Sequence, residues 1–298
     1  MSHSPKKSPR TCVLPTPPRA GRKARLANMW INAAPGAPIQ ASAGSRLFAL
    51  AYGLACYAIF FVTFLYAIGF MGNFLTPTSI DAPPTSPLWL AITVNTALIL
   101  LFGVQHSVMA RPWFKKAWTR IVPEHLERST YVLFSSLALI ALFALWQPMG
   151  MTIWNISHPV ARAALIAIML AGFAIVLVTT FLINHFDLFG LRHTWLYFTR
   201  RAYTHLDFAT PGVYRIVRHP LYVGWLLSFW AAPTMTGAHL LFAALSTAYI
   251  LAAIRWEERD LLDLHGESYA IYRDQVPMLV PTPGKAWRDD TAPAPALN

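Results

Sequence analysis

Long apolar runs alternate with short polar segments from residue 47 to residue 254. Four of them approach or exceed the roughly 20 residues that a helix needs to cross a bilayer. These four lie at 47–71, 88–109, 131–146 and 160–183. Two shorter runs, at 221–232 and 238–254, form a hairpin that could be tilted and stop short of the far side. The pattern predicts an all-α, polytopic membrane protein with four spanning helices and a C-terminal helical hairpin, five to six transmembrane segments in all.

The composition supports a membrane protein and argues against several other classes. Only 12% of the 298 residues are charged, whereas a soluble domain has about 25%. No glycine-rich nucleotide loop is present, so no Rossmann domain is expected. Cys12 and Cys56 lack metal-type spacing and are not expected to pair, and the scattered histidines predict no metal site. Nucleic-acid binding is disfavoured, because no soluble domain is left to perform it.

Lysine and arginine predict the orientation in the membrane. Eight lie in the N-terminal tail up to Arg46, five at 105–130, five at 184–220 and five from Arg255 onward. The loops at 72–87 and 147–159 have none. By the positive-inside rule, both termini and the basic loops face the cytoplasm. We therefore predict a multi-pass protein of the cell (inner) membrane, with the net charge of +11 contacting anionic lipid.

The same pattern divides the chain into four parts. Residues 1–45 form a basic, proline-rich tail without apolar periodicity, which predicts disorder. Residues 46–211 hold the first four helices and their cytoplasmic loops. Residues 212–281 form a second module with the hairpin, and residues 282–298 are a second tail that is expected to be disordered.

Polar motifs lie where the apolar runs end on the predicted cytoplasmic side. They are Arg218-His219-Pro220-Leu221-Tyr222-Val223-Gly224, Glu257-Glu258, Gly266-Glu267-Ser268-Tyr269-Ala270-Ile271-Tyr272, Gln105-His106-Ser107 and Asn184-His185-Phe186-Asp187 with Arg192. Charges beside membrane segments are costly and usually functional. Their convergence at one depth predicts a buried polar pocket.

Simpler roles are open for several of these residues. His106 and His185 could cap helix C-termini without chemistry. Glu257 and Glu258 could pair with neighbouring arginines on their own helix. Arg111, Lys115 and Lys116 are interpreted as anchors for lipid headgroups, and the aromatic residues near segment ends as interfacial belts.

The motifs carry a resemblance to known families. Arg218-His219-Pro220-x-Tyr222-x-Gly224, Glu257-Glu258-x-x-Leu261 and Gly266-x-x-Tyr269-x-x-Tyr272 resemble the isoprenylcysteine carboxyl methyltransferase family over residues 212–281. The stretches 105–111 and 184–192 look like those of the bacterial methanethiol S-methyltransferases. Denitrification-associated membrane proteins of the same superfamily share some of this pattern.

The resemblance implies S-adenosylmethionine as methyl donor, bound at the cytoplasmic face. It implies a donor site lined by Arg218, His219, Tyr222, Gly224, Glu257, Glu258, Tyr269 and Tyr272. The acceptor side would be shaped by His106, Ser107, His185, Asp187 and Arg192. Ser107 and Arg192 would belong to the substrate pocket.

The chemistry of thiol methylation fits these residue types. Arg218 or His219 could pair with the donor's carboxylate, and a glutamate could bind its ribose or adenine. The thiolate is the nucleophile, so His185 or His106 is the candidate base, with Asp187 able to orient one of them. The hypothesis is conversion of methanethiol to dimethyl sulfide.

Two alternatives stay open. One keeps the donor and changes the acceptor to prenylcysteine or another lipid-soluble acid. The other is a non-catalytic membrane protein that supports nitrogen-oxide metabolism, or a transporter, although a transporter would usually carry polar groups near mid-membrane.

Overall fold

The computed structural model describes residues 41–204 and 210–287. In chain order the helices are α1 (Ala43–Gly72), α2 (Leu88–Ala110), α3 (Pro112–Trp118), α4 (Glu124–Leu145), α5 (Pro159–Ile183), α6 (His185–Leu188), α7 (Leu191–Phe198), α8 (Pro220–Trp230), α9 (Gly237–His265) and α10 (Glu267–Gln275). A 3₁₀ turn, Gly212–Arg215, precedes α8. Two short strands, β1 (Thr152–Asn155) and β2 (Thr234–Thr236), form one antiparallel pair.

Five helices, α1, α2, α4, α5 and α9, are long and apolar enough to cross a membrane. The prediction of an all-α, multi-pass membrane protein without a Rossmann domain is confirmed for the described residues. Two boundaries differ from the hydropathy pattern. The fourth helix begins at Glu124 rather than near Tyr131, and α9 continues to His265 rather than ending near Ile254. A helix satisfies its own backbone and can continue out of the apolar layer, so hydropathy alone does not mark its end.

Most of the two predicted tails lies outside the described residues, but their inner ends are defined. Helix α1 already begins at Ala43, with the Ser42 side chain accepting a hydrogen bond from the Ser45 backbone N–H at 3.1 Å. At the other end, Trp287 packs edge-on against Tyr272, with ring centroids 5.6 Å apart. The inner end of the C-terminal tail therefore packs on the preceding module.

The loops without lysine or arginine meet at one end of the bundle, which we call the neutral end (residues 73–87, 146–158 and 231–236). Strand β2, between α8 and α9, pairs with β1, between α4 and α5. Asp81, between α1 and α2, accepts a hydrogen bond of 2.6 Å from the Thr236 hydroxyl. The turn of the hairpin thus reaches the neutral end. Helix α8 has only 11 residues, about 16 Å, so residues 231–233 and β2 complete the passage.

A buried ion pair fastens the neutral end. The Asp81 carboxylate lies 3.1 Å from His239 Nδ1, and His239 Nε2 lies 3.0 Å from the Phe229 carbonyl oxygen. Both partners can only accept, so both contacts are hydrogen bonds when the imidazole is protonated on each nitrogen. Burial alone would raise the pKa of Asp81, but the hydrogen bond and charge of His239, with Thr236 and Asn73, hold it below its ordinary value.

Helices α5 and α8 approach so closely that only glycine fits at their crossing. A Cβ on Gly172 would lie 2.6 Å from the Gly224 carbonyl oxygen, and a Cβ on Gly224 would lie 2.7 Å from the Gly172 carbonyl oxygen. The Ser228 hydroxyl donates to the Met169 carbonyl across the same contact, at 3.3 Å. Small residues allow this close packing where helices associate inside a membrane. Gly224 therefore has a packing role that fixes where α8 begins.

We expect Gly172→Ala to lower the melting temperature of the detergent-purified protein by roughly 4–8 °C, the effect of about 2 kcal/mol of overpacking. The matched control is Gly44→Ala, because a Cβ on Gly44 meets no atom within 4 Å. Melting can be followed by circular dichroism. Equal melting temperatures for Gly172→Ala and the wild type would contradict this account of the crossing.

Candidate active site

The opposite end, which we call the basic end (residues 105–130, 184–204, 210–220 and 255–287), is organised around one carboxylate oxygen. Glu258 Oε1 accepts a hydrogen bond of 2.8 Å from Arg218 Nε and lies 3.0 Å from His219 Nε2. Arg218 and His219 directly precede α8, where Pro220 occupies the first helical position and needs no N–H partner. Glu258 thereby ties the start of α8 to the emerging part of α9.

The chain after α10 returns to the same point. The backbone N–H groups of Arg218 and His219 donate to the carbonyls of Pro277 and Met278, at 2.9 and 3.2 Å. Arg218 also donates from its side chain to the Arg273 carbonyl at 2.8 Å. The main chain and the guanidinium of Arg218 are therefore both engaged in holding the module together.

The contacts of Arg218 and His219 with Glu258 and with residues 273–278 form a clamp. The two predicted tyrosines of α10 pack beneath this clamp. Tyr269 and Tyr272 form a buried apolar cluster with Val276. The Tyr272 hydroxyl donates to the Tyr214 carbonyl at 2.6 Å, which fixes the 3₁₀ turn before α8. Both rings are nearly inaccessible to solvent, so they support the clamp from inside.

Glu257 differs from Glu258 in its surroundings. Its carboxylate accepts one hydrogen bond, of 2.9 Å, from the Tyr222 hydroxyl on α8. Its side chain is 46% exposed, whereas that of Glu258 is 15% exposed. Because an ionised carboxylate can accept about four hydrogen bonds, Glu257 is the acid of this pair with capacity left for a ligand.

His106 on α2 belongs to a hydrogen-bonded group with two hydroxyls of α4. Ser135 donates its one proton to the Tyr131 carbonyl at 3.0 Å, so its oxygen accepts from His106 Nδ1 at 3.1 Å. The Tyr131 hydroxyl lies 3.0 Å from Nδ1 and 2.9 Å from Nε2, and because Nδ1 donates to Ser135, Nε2 is the nitrogen that accepts from Tyr131. In this arrangement His106 is a neutral imidazole, and its unprotonated Nε2 accepts the hydrogen bond from Tyr131.

Electrostatic interactions among three tyrosines connect the His106 group with the Glu257 group. Tyr131 and Tyr249 lie within electrostatic reach of Tyr222. The Tyr249 hydroxyl is 3.0 Å from the Ser107 hydroxyl, next to His106 in the chain. Gly103 makes room for Tyr249, since a Cβ there would lie 3.2 Å from its ring. Residues from α2, α4, α8 and α9 therefore face one region at the basic end.

His185 has a similar hydrogen-bonding pattern but closed surroundings. Thr180 donates to the Leu177 carbonyl at 2.6 Å and lies 2.7 Å from His185 Nδ1, while the Tyr57 hydroxyl lies 2.8 Å from Nε2. The imidazole is completely buried and stacks on Phe181 at 4.0 Å. Burial lowers the pKa of His185 to about 4, and both of its ring nitrogens are engaged.

Asp187 does not contact either candidate base. Its carboxylate accepts a hydrogen bond of 2.9 Å from Arg192 and lies 3.6 Å from His193 Nε2. Arg192 is buried and also donates to the Thr204 carbonyl and hydroxyl, at 3.0 and 2.9 Å. The expected pairing of Asp187 with a catalytic histidine is not formed, because Arg192 on α7 binds the carboxylate and joins it to Thr204 in the segment after α7.

The predicted residues thus fall into distinct groups. One cluster contains Arg218, His219, Tyr222, Glu257, Glu258, Tyr269 and Tyr272, and His106 and Ser107 border it through tyrosines. His185, Asp187 and Arg192 lie in separate buried networks, and Gly224 lies in the α5–α8 contact. The sequence patterns did not indicate Tyr131 or Tyr249 as site residues. The available signal was that Tyr131 and Ser135, one turn apart, share one face of a helix.

Known proteins support this interpretation. A family model described as phospholipid methyltransferase matches residues 162–268, from the first turn of α5 to the start of α10. With five apolar helices, this match defines an integral membrane methyltransferase. No solved structure matches the chain.

Curated relatives define the family more closely. The chain is 54% identical over 241 residues to a methanethiol S-methyltransferase of Crocosphaera subtropica, which covers 81% of this chain and 94% of that protein. It is 48% identical over 238 residues to a methanethiol S-methyltransferase of Mycobacterium tuberculosis, covering 80% and 98%. A protein of that name from Bradyrhizobium diazoefficiens is 47% identical, covering 80% and 85%. The chain belongs to the methanethiol S-methyltransferase family.

We expect Glu258→Gln to lower the melting temperature by roughly 6–12 °C, because it leaves Arg218 without its counter-charge in a mostly buried position. Glu257→Gln is the matched control and should stay within about 2 °C of the wild type, since Glu257 is half exposed. Thermal unfolding in detergent measures both. Equal melting temperatures for the two variants would refute the conclusion that Glu258 is the hub that ties α8 to α9.

Proposed function

We propose that this protein transfers the methyl group of S-adenosylmethionine to methanethiol, forming dimethyl sulfide at the basic end of the bundle. The names of its relatives support the acceptor. The observation that carries the proposal is the half-exposed Glu257, which accepts a hydrogen bond from Tyr222, a residue that interacts electrostatically with Tyr131 and Tyr249. This arrangement combines a carboxylate for a cationic donor with hydroxyls for a thiol.

The residues around Glu257 fit the donor. A carboxylate with remaining acceptor capacity suits ribose hydroxyls or the adenine amine, and its charge suits a sulfonium cation. Tyr222 orients this carboxylate from α8. When bound, S-adenosylmethionine supplies a methyl group on a positively charged sulfur, which a thiolate can accept by in-line displacement.

Arg218, His219 and Glu258 act as supports in this proposal. The Nε of Arg218 and the Nε2 of His219 share the same Glu258 oxygen, and the guanidinium also donates to the Arg273 carbonyl. These contacts hold α8, α9 and the chain after α10 in register. The donor site then depends on the three residues because they position Tyr222 and Glu257.

The thiol proton leaves through Tyr131 and His106. The Tyr131 hydroxyl donates to His106 Nε2, so its oxygen is free to receive a proton from a thiol on its other side. As the thiol proton reaches Tyr131, the phenol proton passes to His106, and the thiolate remains. We assign the base to His106 rather than His185, because its partner Tyr131 interacts electrostatically with Tyr222, which donates a hydrogen bond to Glu257.

Apolar surroundings favour this reaction. Met109, Tyr131 and Val132 are buried against a group of aromatic rings on α1, α3 and α6–α7. Thiolate and sulfonium neutralise each other in the transition state, so exclusion of water lowers the barrier. The remaining acceleration comes from holding the two sulfur atoms in line.

The basic end faces the cytoplasm in this proposal. The basic loops lie at that end, while the loops at 72–87 and 147–159 carry no lysine or arginine. A donor made in the cytoplasm would then reach Glu257 directly, and a small apolar thiol could enter from either the water or the lipid.

The direct test supplies purified protein with S-adenosylmethionine and methanethiol and measures dimethyl sulfide in the headspace. We expect product from the wild type and from Glu267→Gln, an exposed acid on α10, and at least about a hundredfold less from Glu257→Gln. A protein that binds the donor but forms no thioether from any small thiol would overturn the proposal.

We expect Tyr131→Phe to lower kcat with methanethiol about a hundredfold, the usual contribution of acid–base catalysis. With thiophenol, which is largely ionised at neutral pH, the loss should shrink below about tenfold. Tyr57→Phe, which removes the hydroxyl from the parallel pair with His185, is the control and should keep its rate. Equal losses with both thiols would show that Tyr131 only positions the acceptor.

One observation supports a second candidate function, methylation of a prenylated or other lipid-soluble acid. An apolar groove of about 430 Å³ follows the outer face of α8, lined by Val223, Leu226, Leu227, Trp230, Ala231, Leu279 and Val280. It could hold a long apolar chain. Methyl ester formation from a farnesylated cysteine analogue, at a rate above that with methanethiol, would favour this candidate.

A further inference from the structure

Arg111, interpreted from the sequence as a lipid anchor, joins two parts of the site. It follows the last residue of α2 and donates from NH1 to Asp260 on α9, at 2.9 Å. Its Nε donates to the Ser107 carbonyl at 3.3 Å. The ion pair is accessible, with side-chain exposures of 26% for Arg111 and 44% for Asp260. Such an exposed pair contributes little to stability and exchanges readily.

The position of Arg111 is set by both halves of the site. Asp260 lies three residues after Glu257, so the two carboxylates share one face of α9. On the other side, Ser107 bonds to Tyr249, which is within electrostatic reach of Arg111. The guanidinium therefore lies beside the residues that would bind the donor and those that would bind the thiol.

The cations around Glu258 have little capacity left for the carboxylate at the amino-acid end of a donor. Arg218 Nε and His219 Nε2 both point at Glu258, and Arg218 NH1 donates to main-chain carbonyls. Moving either residue would open the clamp that holds α8. A carboxylate is bound best by a guanidinium that can present a free pair of N–H groups.

The charges around Arg111 favour a further anion. Lys115 and Arg128 lie close enough to interact with one another, and Glu127 and Asp260 are the acids that interact with Lys115. Burial lowers the pKa of Lys115 below its ordinary value, and Arg128 and Arg111 lower it further. An incoming carboxylate would relieve this repulsion.

We propose that Arg111 binds the α-carboxylate of the methyl donor, exchanging its ion pair with Asp260 for one with the ligand. The inference rests on the proposed function, since it requires an amino-acid-bearing donor at Glu257. Arg111 is then a specificity-determining residue that reads the amino-acid end of the donor.

The test compares the Kd of S-adenosylmethionine with that of decarboxylated S-adenosylmethionine, by calorimetry on purified protein without a thiol. For Arg111→Gln we expect the Kd of S-adenosylmethionine to rise at least about tenfold, the value of one charge-assisted hydrogen bond. The Kd of the decarboxylated donor should change less than about twofold. The matched control Lys116→Gln, an exposed cation on α3, should leave both values unchanged.

A second variant separates ligand binding from structure. Asp260→Asn removes the competing carboxylate, so we expect S-adenosylmethionine to bind as tightly as to the wild type or more tightly. If Arg111→Gln weakens both donors equally, or if Asp260→Asn weakens binding as much as Arg111→Gln, the ion pair is a structural tie and the inference is wrong. If Arg111→Gln changes neither Kd, Arg111 does not bind the donor. A wild-type protein that binds neither donor would instead refute the proposed function.

Discussion

The basic end of this protein depends on one carboxylate oxygen that Arg218 and His219 share. Glu258 Oε1 holds Arg218 and His219, which come just before α8, and the backbone of the same two residues holds the chain after α10. Three segments distant in sequence are thereby fixed at one point. Because Glu258 and Arg218 are both mostly buried, removing either one leaves the other as a buried charge without its partner. The neighbouring Glu257 accepts one hydrogen bond, from Tyr222, so its carboxylate has acceptor capacity left for a ligand.

The neutral end contributes to the site by fixing the position of the α8–α9 hairpin. Asp81 and His239 fasten the hairpin turn, and the β1–β2 pair joins it to the loop between α4 and α5. The contact between Gly172 and Gly224 then sets the distance between α5 and α8. With the far end anchored, the start of α8 presents Tyr222 towards Glu257 at a fixed height. Packing and ion pairing far from the site thus contribute to its precision.

Hydropathy predicted the helices and the hairpin, because apolar length follows directly from the membrane, and the resemblance of the polar motifs predicted the family. The polar motif at 218–224 and the acids Glu257 and Glu258 were also predicted to converge, and they do. The sequence could not assign partners. Asp187 was expected to support a histidine, but Arg192, five residues further on, binds it instead. Tyr131 and Tyr249 look like ordinary helix residues in the sequence, and only the packing of α2, α4 and α9 shows that their hydroxyls face the site. Arg111 was taken as a lipid anchor, since nothing in its local sequence indicates Asp260 as a partner.

In the proposed site, supporting charges and ligand-binding groups are therefore separate residues on the same short segments. The central claim, direct transfer of a methyl group from donor to thiol in this protein, is tested most directly by isotope labelling. Purified protein would receive S-adenosylmethionine with a trideuterated methyl group and unlabelled methanethiol, and the volatile product would be analysed by mass spectrometry. The account predicts dimethyl sulfide with one labelled and one unlabelled methyl group. Unlabelled product, or none while the donor is bound, would contradict it.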